Sequence, residues 1–109
     1  MFGTIMRARC KPGQRDAFID QMKQRGTAAN NPGFLSAEVG YEDKDPDRVF
    51  AVIHFRDKAS YQANAQRPQT DAEYRQMLDY LVEPPEWIDV HYVGYTGEPL
   101  TESAMAAAM

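Results

Sequence analysis

Few side chains in this sequence are equipped for proton or electron chemistry. Histidine occurs twice, at His54 and His91, and imidazole is the side chain that most readily exchanges a proton near neutral pH. Two histidines without adjacent cysteine or clustered carboxylates fall short of a zinc ligand set, so no metal is expected. The single cysteine, Cys10, ends a strand pattern with no histidine nearby in sequence. It reads as a poor nucleophile and leaves no intrachain disulfide. Glu38 and Asp89 could form a carboxylate pair, but an ion pair with Arg7 or Arg9 suits them better. Tyr41, Tyr61, Tyr74 and Tyr92, with Phe55, could line an aromatic pocket whose phenols bind a quinone or phenol oxygen. They could equally be core residues with satisfied hydroxyls. Asn64 could orient a substrate carbonyl or simply face solvent. KPGQ has one glycine and is not a phosphate loop.

The elements that must position these groups follow from periodicity. Residues 2–10 read as a strand with Thr4, Met6, Ala8 and Cys10 on one face. Residues 13–25 read as a helix with an apolar stripe at Phe18, Ile19 and Met22. Residues 26–33, rich in Gly, Asn and Pro, read as a turn. Between 32 and 57 two alternating runs make a hairpin: Leu35, Val39 and Tyr41, then Val49, Ala51, Ile53 and Phe55, share its more apolar face. Asp57 suits the N-cap of a helix over 58–66. Pro68 interrupts that helix, and Thr70 to Glu73 form a capping-box pattern that restarts it. Tyr74, Met77, Leu78, Leu81 and Val82 then recur at helical spacing until Pro84-Pro85. A last strand spans about 86–95, with Ile88, Val90 and Tyr92 assigned to the helix side and Trp87, Asp89, His91 and Val93 to the other.

The order βαββαβ predicts a ferredoxin-like α+β domain over residues 1–96: a four-stranded antiparallel sheet with two helices on one face. Residues 97–109 are expected to be a loose tail or a short helix on another surface. The second face of the sheet then holds Ile5, Phe50, Val52 and His54 among charges of both signs, too apolar for water. Two sheets meeting face to face in a homodimer would cover it, with Arg7 and Arg9 pairing Glu38 and Asp89. Both histidines fall on this face by phase and are expected to be hydrogen-bonded at the seam. If the faces are inverted, His54 enters the pocket as the best general base.

At 109 residues, 43% hydrophobic and 26% charged, the chain has the composition of one globular domain. A net charge of −4 without a basic cluster argues against nucleic acid. No apolar run of about 18 residues is present, and the N-terminus lacks a leader pattern, so a cytoplasmic protein without a membrane span is expected.

In RCKPGQRDAF, PGFLSAEVGYEDKDPDRVF and HFRDKASYQANAQRP the chain resembles the antibiotic biosynthesis monooxygenase-like family of dimeric α+β barrels. The resemblance covers residues 2–95. It implies a homodimer with a pocket between sheet and helices for a small hydrophobic or aromatic molecule. Some members oxygenate aromatic polyketides with neither metal nor flavin, so no cofactor is implied; others isomerise, or have no known activity. Tyr61 matches a tyrosine of quinone-forming members, and Arg75 an arginine further along. These two would hold the substrate's oxygen atoms while His54 or water takes a proton. Phe55 and Ala51 stand where oxygenating relatives carry tryptophan and asparagine. Haem-degrading relatives need a histidine in the second helix and an asparagine in the first strand. Here residues 58–82 contain no histidine, and Met6 takes the asparagine's place.

Overall fold

The computed structural model describes residues 1–25 and 31–108. The 26–30 part of the expected turn lies outside the described residues. The elements run β1 (Phe2–Arg9), α1 (Arg15–Arg25), β2 (Phe34–Tyr41), β3 (Arg48–Phe55), α2 (Lys58–Ala65), α3 (Pro68–Leu78), β4 (Glu86–His91) and α4 (Glu102–Ala108). The strands form one antiparallel sheet in the order β2-β3-β1-β4. This is the ferredoxin-like α+β fold, with α1, α2 and α3 on one face. Among the described residues no helix is long and apolar enough to cross a membrane.

Strand register fixes which side chains share a face, because directly opposed residues point the same way. On the helix side three rows cross the sheet from β2 to β4: Phe34–Phe55–Phe2–His91, Ala37–Ile53–Thr4–Asp89 and Val39–Ala51–Met6–Trp87. The core lies where Met6, Ala8, Val49 and Ala51 meet Phe18 of α1 and Leu81 beyond α3. Phe18 is 1% exposed and leads the stripe read from sequence.

Five expectations need correction. First, α3 ends at Leu78 rather than running on to Val82, because Leu81 turns back to bridge Cys10. The faces of β4 are reversed, with Trp87, Asp89 and His91 on the helix side and Ile88 and Val90 opposite. On an edge strand with little helix above it, burial does not decide which face is apolar. Leu35 leaves the inward row because the β2–β3 pairing shifts between Phe34 and Ser36, so Phe34 points inward in its place. Pro68, not Thr70, opens α3, occupying its first turn where the missing N–H costs nothing. The charges pair as Arg7–Glu42 at 2.8 Å and Arg9–Asp45 at 2.6 Å, whereas Glu38 bonds His54. The hairpin loop was the nearer acid to both arginines. The tail forms the short helix α4, tied to α1 by Lys23–Glu102 at 3.0 Å.

Asp57 caps α2 as read from sequence, accepting the Ser60 N–H at 2.8 Å. That bond, then the Ser60 hydroxyl and Arg56, hold its carboxyl down to about 2. A carboxyl lowered on folding contributes stability that is present above its unfolded value, about 4, and lost as pH falls through about 2. Urea midpoints of the protein are therefore expected to drop between about pH 4 and pH 2, and those of Asp57→Asn to drop less. Parallel pH profiles for the two chains would refute this.

Candidate functional site

Between the sheet and the three helices lies a cavity of about 640 Å³. Its floor is the middle of the sheet: all eight residues of the Ala37–Asp89 and Val39–Trp87 rows line it, and Phe34 and Phe55 continue it. Ala37 and Ala51 are small enough to leave room where larger side chains would fill it. Met22, Tyr61, Asn64, Tyr74 and Met77 come down from α1, α2 and α3. At one end Arg25 joins α1 to α3, donating to the Glu73 carbonyl at 3.1 Å and to Gln76 Oε1 at 2.9 Å.

Tyr61 is the most strongly positioned polar side chain here. The Asp57 cap fixes the first turn of α2, and Arg56 Nη2 donates to Ser60 Oγ at 2.8 Å. Gly33, at φ +86°, passes so close that a Cβ would meet Ser60 Cβ at 2.3 Å. Only glycine suits this backbone and this approach. The Tyr61 ring is then held by Phe2, 5.2 Å away, and by Phe55 at 5.4 Å, edge to face. Its phenol donates to Asp89 Oδ1 at 2.9 Å. Burial, and then the bond to Asp89, push the phenol above its ordinary value, while the nearby Thr4 hydroxyl works the other way. Thr4 is 1% exposed, and no hydrogen bond of ordinary geometry satisfies its Oγ1.

The structure brings Tyr61, Phe55, Asn64 and Tyr74 together around the cavity. Four other expected site residues lie elsewhere. His54 is on the opposite face of the sheet, its Nε2 2.9 Å from Glu38 Oε2, because its neighbours Ile53 and Phe55 take the inward phase. Tyr92 follows β4 on that same face. Its ring lies 4.4 Å from that of His54, and its hydroxyl donates to the Ile53 carbonyl at 3.1 Å. Tyr41 sits at the end of β2 beneath the Arg15 guanidinium, 4.1 Å from its ring. Arg75 points outward from α3 to Asp71, four residues earlier, at 3.2 Å. His91 leaves the expected seam and packs its edge on Phe2 at 5.0 Å.

Trp87, Asp89 and Thr4 line the cavity although sequence reading did not place them there. The reversed β4 phase concealed the first two. Thr4 carried a usable signal, a hydroxyl in the middle of an otherwise apolar inward row.

The fold and the site together make an α+β sheet domain with an aromatic cavity under its helices. The profile of the antibiotic biosynthesis monooxygenase family matches residues 1–75, and this chain belongs to that family. A Chloroflexus aurantiacus protein carrying the family's name is 28% identical, with 88% of this chain and 96% of that one aligned at a TM-score of 0.71. A Nitrosomonas europaea protein of the same name is 18% identical over 88% and 93% of the two chains, at 0.73. A mutant of SnoaB, a cofactor-independent oxygenase from Streptomyces nogalater, is 13% identical over 89% and 97%, at 0.75. At the lower identities the likeness concerns the fold alone. No curated protein matches the chain.

Proposed function

We propose that this chain is a cofactor-independent monooxygenase of a small aromatic or polyketide-like molecule. The observation that supports it is an aromatic cavity of about 640 Å³ into which a single held phenol, Tyr61, projects. Family membership and the name of the Streptomyces neighbour agree with it. An activated methylene flanked by aromatic rings and a carbonyl loses a proton to give a stabilised carbanion. The carbanion passes one electron to O2, and the radical pair combines into a hydroperoxide. Loss of water leaves a new carbonyl. The substrate supplies all four electrons, so the balance is CH2 and O2 to C=O and H2O, without an outside reductant. Tyr61 holds the substrate oxygen; Asn64 orients a carbonyl; Phe55, Tyr74 and Trp87 stack on the rings.

The test is oxygen uptake with a panel of anthrones and hydroquinones. Uptake by the protein is expected with at least one of them, and Tyr61→Phe is expected to lower its rate about 100-fold, the usual scale of a positioned acid–base group. No uptake across the panel would overturn the reading. A second reading, a ligand-binding module without turnover, is favoured by Ala51, a buried methyl where oxygenating relatives carry an amide. Trp87 is the only tryptophan and lines the cavity. Quenching of its fluorescence by the same ligands without oxygen uptake would select that reading.

The chain also works as a homodimer in this proposal. The outward row Glu38–Val52–Ile5–Ile88 crosses all four strands, and Ile88 is 55% exposed. A second copy laid on this face would cover it.

A further inference from the structure

We propose that Thr4 determines what the cavity selects: its hydroxyl and the Tyr61 oxygen together take up an un-ionised hydroxyl carried on an aromatic ring. The ligand class is a phenol bound with its proton in place. The proposal rests on the reading of the cavity as a site for small aromatic molecules, and specifies which group on them is recognised.

Three observations converge. Thr4 Oγ1 is buried with no hydrogen-bond partner among the described residues. It stands on the cavity floor, with Ile53 beside it on one strand and Asp89 on the other. Valine has nearly the same shape, so the hydroxyl is a cost to the empty protein. Tyr61 spends its own proton on Asp89 Oδ1, at 2.9 Å, which leaves its oxygen only lone pairs to offer. Among the described residues Asp89 forms no ion pair. Lys58 of α2 lies over the Phe2 ring at 5.8 Å and is not paired with it. The negative charge next to the Tyr61 phenol therefore disfavours a second anion there.

A donor and an acceptor side by side are the complement of a hydroxyl, which accepts and donates at one atom. The ligand O–H donates to Tyr61 Oη, and the Thr4 O–H donates to the ligand oxygen. A small turn of the Tyr61 ring between Phe2 and Phe55 opens Thr4 to that oxygen. A methyl group in the same place leaves both groups as they were. An oxyanion has no proton for Tyr61 and meets the charge of Asp89. No bond breaks on binding, and the ligand keeps its proton. The hydroxyl is a handle, apart from the carbon that would react. Thr4 is thus satisfied only in the complex, and a site built to bond a hydroxyl discriminates against ligands that lack one.

The test compares 4-nitrophenol with 4-nitrotoluene, which carries a methyl group of nearly the same size. Nitroaromatics quench tryptophan on contact, so Trp87 fluorescence measures both dissociation constants, at about pH 5.5 where the phenol keeps its proton. Thr4→Val is expected to weaken 4-nitrophenol about tenfold, the scale of one hydrogen bond, and to leave 4-nitrotoluene unchanged. Thr4→Ser is expected to keep the phenol's affinity. Without ligand, Thr4→Val is expected to melt no lower than the parent chain, since it removes a polar group that nothing satisfies. Near neutral pH, adding the protein is expected to fade the yellow of free 4-nitrophenolate as the bound ligand takes its proton back. Equal weakening of both ligands by Thr4→Val would overturn the proposal, since that is the mark of a merely structural threonine. A lower melting point for Thr4→Val, or bound 4-nitrophenol that stays yellow, would overturn it as well. Absence of quenching by either ligand would overturn the reading of the cavity, and this proposal with it. Hydroxyl selection without oxygen uptake would keep the role of Thr4 and remove the monooxygenase reading.

Discussion

A chain carrying Phe18→Ala is expected to lose about 3–5 kcal/mol of folding stability, the usual result of emptying a buried phenylalanine site. Phe18 is 1% exposed, packs 6.0 Å from the Tyr80 ring, and is the only buried residue of α1. Its partners Met6, Ala8, Val49 and Ala51 belong to the two central strands, and Cys10 and Leu81 close the cluster. Strands are held by backbone bonds and cannot easily move in to fill the gap. A domain of this size commonly has about 5–15 kcal/mol in all, so the variant should melt roughly 15 °C lower or more. Met6 and Ala51 also form part of the cavity floor, so ligand quenching of Trp87 should weaken with it. A melting point within a few degrees of the parent chain would show that α1 is not anchored through Phe18.

The second large effect concerns the other face. In a homodimer with the sheets face to face, Ile88→Arg is expected to convert a dimer into a monomer. Across the sheet Ile88 stands beside Ile5, and Ile5 beside Val52, so these three make a continuous apolar row. An arginine within such a row would have to leave water without a partner, at a cost of several kcal/mol per charge. A two-fold interface contains the substitution twice. Sedimentation at micromolar concentration should give twice the chain mass for the parent and the chain mass for the variant. Equal masses for the two, whether monomer or dimer, would rule this seam out.

The sequence was most readable where one residue class had one physical use. The β1 alternation, the Phe18 stripe and the Asp57 cap all have burial or a hydrogen bond behind them, and all stand in the structure. Alternation ceased to inform where burial did. On β4 the row facing the helices carries Trp87, Asp89 and His91, none of them buried, so ranking the two faces by hydrophobicity chose the wrong one. Tyr61, read from its type as a pocket aromatic and given its role by family resemblance, stands on the cavity wall, whereas Arg75, placed by the resemblance alone, turns outward to Asp71. A helix presents a new direction every 100°, so a small offset in aligning a long helical stretch is enough to point a side chain away. Here that stretch is two helices broken at Pro68, and the break separates Tyr61 from Arg75. Asp89 was visible as a carboxylate but not as a partner of Tyr61, because the bond joins residues 28 positions apart.

The alanines of the cavity floor have a consequence for how the protein can change. Ala51 is packed at the sheet centre and Ala37 lies one strand over, and the space above them exists because their side chains end at one carbon. Its dimensions are therefore set by individual side chains rather than by the course of the backbone. Exchanges at these two positions can reshape what fits without disturbing the register, the caps or the Phe18 cluster. A lineage built on this frame could alter the size of its ligand in single steps while the means of holding its oxygen stayed in place.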